Sequence, residues 1–160
     1  MAGDINVFET KEIMEKMLLE DRKWPASFLT RKRNYIAITR PEDLTSYDYV
    51  ASLQKGQIID WKKWDLTCSD ITWEAWNYLL PIMQREYFKN LPNDMEDYLM
   101  KFFWYLSEDK HLTDLFALFN NTDRVKFKEW LSFILFSGND PFSFLIEDEL
   151  LSILDYIEHI

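Results

Sequence analysis

Apolar side chains recur along most of this chain at the spacing of a helix that buries one face. Ile13, Met14, Met17 and Leu18 form the first such stripe, predicting a helix over residues 10–20 that Trp24-Pro25 closes. After Pro41, Leu44, Tyr47, Val50 and Ala51 predict a second helix over residues 44–54, with Gly56 placed to end it. Asp60-Trp61-Lys62-Lys63-Trp64 suits a short helical turn. A long helix follows, opened by Asp70 or Thr72 as cap and closing near Lys89. It carries Pro81 in its interior, at a cost of about 3 kcal/mol that tertiary packing must offset. Trp73, Trp76 and Leu80 are the expected offset, as a buried aromatic seam that Pro81 bends.

Farther along, Asn93 and Glu96 have the spacing of a capping box, and Leu99, Phe102, Phe103 and Leu106 then repeat at i, i+3, i+4 and i+7. Leu112, Leu115, Phe116 and Phe119 repeat the template, as do Phe127, Trp130, Leu131 and Ile134. Phe133, Leu135 and Phe136 widen the stripe of this last helix, which is therefore expected to be covered on several sides and stopped by Gly138. Beyond Asp140-Pro141, Leu150, Ile153, Leu154 and Ile157 form the inward face of a final helix. Residues 22–42 show no clear period and are expected to be irregular. The pattern predicts an all-α, single-domain bundle of about six or seven helices spanning residues 1–160, with short connections that set neighbours antiparallel.

Composition sharpens this expectation. Only 3 glycines and 5 prolines occur in 160 residues, too few for the tight turns of a sandwich or barrel. The single cysteine, Cys68, excludes an intramolecular disulfide, and no run of about 18 apolar residues suggests a membrane span. The acidic first twenty residues do not form an ordinary signal peptide, so a cytoplasmic protein is expected.

Charge is unevenly distributed within a formal total of -10. Residues 22–40 hold Arg22, Lys23, Arg31, Lys32, Arg33 and Arg40 without an acid, whereas residues 139–160 hold Asp140, Glu147, Asp148, Glu149, Asp155 and Glu158 without a lysine or arginine. The two segments either neutralise each other or remain solvated, or the acidic one is a docking surface. The total repels phosphates, which disfavours direct nucleic-acid binding despite the Arg31-Lys32-Arg33-Asn34-Tyr35 stretch with Trp24 and Phe28 upstream.

Catalytic chemistry finds little support. Glu108, His111 and Asp114 share one helix face, a spacing common on any solvated helix. Gly3, Gly56 and Gly138 are isolated, so no phosphate-cradling loop is present. Cys68 has no histidine in a recognised local motif. No catalytic residue, metal ligand or cofactor is assigned.

Trp61-x-x-Trp64-x-Leu66 followed by Ile71-Thr72-x-x-Ala75-Trp76-x-Tyr78-Leu79-Leu80-Pro81 resembles a family of small bacterial proteins of unknown function. There a tryptophan-leucine stretch precedes a helix ending in a tyrosine-leucine-proline signature. The likeness covers roughly residues 40–135, including Phe127-Lys128-Glu129-Trp130-Leu131, and the double leucine before Pro81 departs from it. It implies a helical domain from a bacterial source and no activity.

These features point first to a non-enzymatic acidic protein-binding module, of the immunity or antitoxin type that neutralises a basic toxin. Glu147, Asp148, Asp155 and Glu158 are its expected partner-binding residues. The alternatives are a phage or mobile-element inhibitor that mimics nucleic-acid charge, and a small enzyme or ligand binder with an aromatic pocket near Pro81.

Overall fold

A computed structural model of the chain describes residues 7–89, 95–136 and 145–160. Eight α-helices run through them: α1 (Val7–Glu15), α2 (Arg33–Thr39), α3 (Leu44–Ala51), α4 (Trp73–Lys89), α5 (Met95–Leu106), α6 (Asp109–Phe116), α7 (Asn121–Phe136) and α8 (Glu147–Glu158). Three 3-10 turns, Pro41–Asp43, Trp61–Lys63 and Cys68–Asp70, punctuate the connections. The fold is the expected all-α bundle. Asn93 of the expected capping box, the Glu96 side chain, Gly138 and Asp140-Pro141 lie outside the described residues.

α4 forms as its sequence demands. The Thr72 hydroxyl accepts the Ala75 N–H at 3.1 Å and donates to the Ser27 carbonyl at 2.6 Å, so the cap also fastens the preceding segment. Pro81 sits inside the helix, buried beside Leu79, Leu80 and Met83, each 0 % exposed. Full burial of three such side chains contributes about 5–9 kcal/mol, enough to offset the proline's cost.

The predicted stripes bury as a set. Leu99, Phe102, Phe103 and Leu106 of α5, Leu112 and Leu115 of α6, and Phe127, Trp130, Leu131 and Ile134 of α7 are fully enclosed. Trp130 touches Tyr87, Phe103 and Phe127 at ring separations of 5.8, 5.3 and 5.9 Å, which places α7 at the centre. Its widened stripe is covered only in part: Phe133 and Leu135 pack against the core, whereas Phe136 is 77 % exposed at the helix end.

Three local expectations are corrected. α1 ends at Glu15 and closes in a turn through Lys16 and Met17, and the chain then continues as an irregular strap in which the Leu19 N–H donates to Gln84 Oε1 and Gln84 Nε2 donates to the Met17 carbonyl, both at 2.8 Å. Met17 and Leu19 are buried, but Ile13 of the predicted stripe is half exposed. α3 stops at Ala51, and Gly56 instead takes a left-handed conformation (φ 86°) in the following turn, where a side chain would be strained. Within residues 22–42, the segment Arg33–Thr39 is helical although only Ile36 is buried. The remainder is tethered by an isolated antiparallel bridge between Leu29 and Ile71 and by Trp24, Phe28 and Tyr78, whose rings meet edge to face.

Candidate functional site

The acidic surface is built on α8. Leu150, Ile153 and Ile157 bury one side of this helix, with Leu154 half-buried at its margin. At about 100° of rotation per residue, Glu147, Asp148, Asp155 and Glu158 fall within an arc of about 100° on the opposite side, and Leu151 falls inside the same arc. All four acids are exposed, and Leu151 is 45 % exposed. The sequence-predicted residues therefore do share one face. Glu147 and Asp148 also occupy the first turn, where carboxylates complement the positive end of the helix dipole.

Little positive charge opposes this face. Lys128 of α7 reaches Glu158 at 2.9 Å, and its hydrogen bond holds that carboxyl below the usual range. His159 Nδ1 lies 2.7 Å from the Asp155 carbonyl oxygen and 3.5 Å from its carboxylate, which raises the imidazole pKa.

The four arginines of segment 22–40 are engaged elsewhere, while Lys23 and Lys32 are exposed. Arg22 pairs with Asp123 at 2.9 Å and lies over the Phe119 ring, and Arg33 binds Asp48 through two nitrogens at 2.8 and 3.1 Å. Arg40 bridges Asp70 at 2.7 Å and Asp43 at 3.3 Å. Arg31 stacks over Tyr35, while Trp24 and Phe28 are committed to Tyr78. These pairs join the basic segment to acids outside residues 139–160, so the neutralisation expected from sequence takes a different route.

A second feature was not read from the sequence. A cleft of about 790 Å³ opens between segment 61–69, Trp76 of α4 and the outward stripe of α5. Its inner wall is aromatic: Trp61 and Trp64 lie 5.3 Å apart, and Tyr98 packs 5.7 Å from Trp61 while donating its hydroxyl to the Trp61 carbonyl at 2.7 Å. Trp76 donates its indole N–H to the Cys68 carbonyl at 3.1 Å. The Asp60 side chain caps the turn that presents Trp61, accepting the Lys62 N–H at 3.1 Å. Around the mouth stand Lys62, Asp65, Asp97, Lys101 and Trp104, all exposed, with Trp104 at 66 %.

Cys68 also lines the cleft, and burial pushes its thiol up to about 12 against a smaller opposing effect of Lys101. It is therefore a protonated thiol at neutral pH and a poor nucleophile. Pro81 lines neither this cleft nor the two shallower ones beside Trp24 and Val125.

Glu108, His111 and Asp114 do not assemble as a ligand set. His111 Nδ1 faces the Tyr105 carbonyl at 2.6 Å, with Glu108 at 3.6 Å, and its ring stacks 4.0 Å from Tyr105. Among the described residues no group of three histidine, cysteine or acidic side chains is placed to hold a metal ion, and no helix is long and apolar enough to cross a membrane.

No protein-family model, curated protein or solved structure matches the chain. The resemblance therefore rests on its own residues, of which Trp61, Trp64, Leu66 and Trp76 gather at the cleft.

The missed signal lies in α5. Asp97, Lys101 and Trp104 follow at i, i+4 and i+7, opposite the buried Leu99, Phe102, Phe103 and Leu106. A large aromatic off the apolar stripe was the available clue.

Proposed function

We propose that this chain is a non-enzymatic, acidic protein-binding module whose α8 face docks onto a basic partner, as an immunity or antitoxin-type protein does on a cationic toxin. The observation that carries this reading is the single exposed arc of Glu147, Asp148, Asp155 and Glu158 around Leu151, opposed by Lys128 and His159 alone among the ion pairs described. A one-signed patch on a packed helix accelerates encounter with a positive cleft, and an apolar centre supplies contact once water is displaced. Concentration of these acids on one helix supports a local docking patch over charge mimicry spread along a whole face.

The test compares the wild-type chain with a Glu147→Lys, Asp148→Lys, Asp155→Lys, Glu158→Lys variant in affinity capture from the native host, followed by binding kinetics with the purified captured protein. A basic partner whose association slows steeply between about 50 and about 300 mM salt, and slows further with the variant, supports the proposal. Equal association rates for the two chains, with the same salt dependence, overturn it.

A further inference from the structure

We infer that the cleft between segment 61–69 and α5 is a binding site for a neutral carbohydrate, a pyranose unit of a soluble oligosaccharide. Its volume of about 790 Å³ falls within the roughly 300–1,000 Å³ of small-ligand sites. The composition of its mouth selects the class of ligand. Lys62 and Lys101 offer only donors, Asp65 and Asp97 only acceptors, and among the described residues none of these four side chains joins an ion pair or hydrogen bond. Two positive and two negative groups leave no formal excess of either sign, while Asp43, also lining the cleft, is held by Arg40.

A phosphate or nucleotide would meet the lysines but also the carboxylates of Asp65 and Asp97, which repel it. An apolar planar ligand would desolvate these charged groups without replacing their hydrogen bonds, a loss of binding energy. A pyranose satisfies both demands. Its hydroxyls each donate and accept, matching the alternation of ammonium and carboxylate, and its C–H face lies against the electron-rich face of an indole. Trp104 supplies that platform: it stands on the same stripe of α5 as Asp97 and Lys101 and is 66 % exposed, whereas the inner tryptophans Trp61, Trp64 and Trp76 are buried.

The full chain is titrated with maltotetraose, cellotetraose and chitotetraose, followed by tryptophan fluorescence and calorimetry. At least one is expected to bind saturably. Trp104→Ala is expected to weaken that binding by about tenfold or more, and Asp97→Asn to weaken it as well, each with an unchanged circular dichroism spectrum. The charge-reversed α8 variant is expected to bind the sugar as the wild type does, so this site and the proposed docking face fail or stand separately. Absence of a saturable response to all three sugars, undiminished binding by Trp104→Ala, or preferential binding of adenosine or uridine overturns the inference.

Discussion

Gln84→Leu tests how the N-terminal strap is held. Gln84 is 0 % exposed, one turn beyond Pro81, and its amide closes two hydrogen bonds of 2.8 Å with the backbone of Leu19 and Met17. Leucine retains much of the volume but neither bond. If the strap stays docked, a buried N–H and a buried carbonyl each lose their side-chain partner, at about 1–3 kcal/mol apiece. If it lifts away instead, burial of Met17 and Leu19 is forfeited at about 1.5–3 kcal/mol each, less the conformational entropy regained by the freed residues. The chain takes whichever route is cheaper, so a loss of about 2–4 kcal/mol is expected, a large fraction of a typical domain's stability. Urea unfolding measures the total, and its slope separates the routes, since strap release exposes Met17 and Leu19 in the native state and lowers m, whereas a docked strap leaves m unchanged. A stability change below about 0.5 kcal/mol with m unchanged would refute the assignment of Gln84 as the latch.

Asp70 makes a pH prediction: burial pushes its carboxyl up, but hydrogen bonds from Arg40 and Thr67 outweigh burial and hold it below the ordinary value. A depressed folded pKa contributes stability above the unfolded value of about 3.9 that is lost as pH falls through the folded one, so Asp70→Asn should cost about 1–3 kcal/mol at neutral pH and flatten the acid limb of the stability profile. An acid limb equally steep in the variant, followed by urea midpoints, would remove Asp70 from that role. Cys68, with its thiol pushed up to about 12, should resist iodoacetamide at pH of about 8 in the folded chain and react promptly in denaturant, as read by mass spectrometry; equal rates in the two states contradict its burial.

The sequence disclosed what depends on local period and concealed what depends on distant partners. α5 and α4 were legible because four apolar positions recur every turn in one and a threonine cap opens the other, features that a helix needs regardless of its neighbours. The apolar spacing overstates α1 because Met17 and Leu18 continue it, yet the Met17 carbonyl and the Leu19 N–H bond to Gln84, 65 positions away from Leu19. The hydrophobic period misses α2 for the opposite reason. It buries only Ile36, and its ends are fixed by Arg33 on Asp48 and Arg40 on Asp70, contacts that no hydrophobic period records. The acidic arc could be read because all its members ride one helix, whereas the cleft could not, since nothing local says that segment 61–69 stands opposite Trp104.

Charge shows the same division with a functional consequence. Compositional asymmetry alone left two outcomes open, since residues 22–40 had enough cations to cancel the acidic end of the chain. The folded chain spends Arg22, Arg33 and Arg40 on Asp123, Asp48, Asp43 and Asp70, and two of those acids are themselves structural. Asp70 closes the capping box with Thr67, and Asp123 exchanges bonds with Asn120 where α7 begins. Moving Arg22 and Arg40 to α8 would leave the buried Asp123 and Asp70 carboxylates without a cation, a penalty larger than an exposed pair returns. The same pairings that secure the strap and the start of α7 therefore leave the α8 acids without an arginine, with Lys128 on Glu158 and His159 beside Asp155 as the cations that meet them among the ion pairs described, and that arrangement is what the proposed docking face rests on.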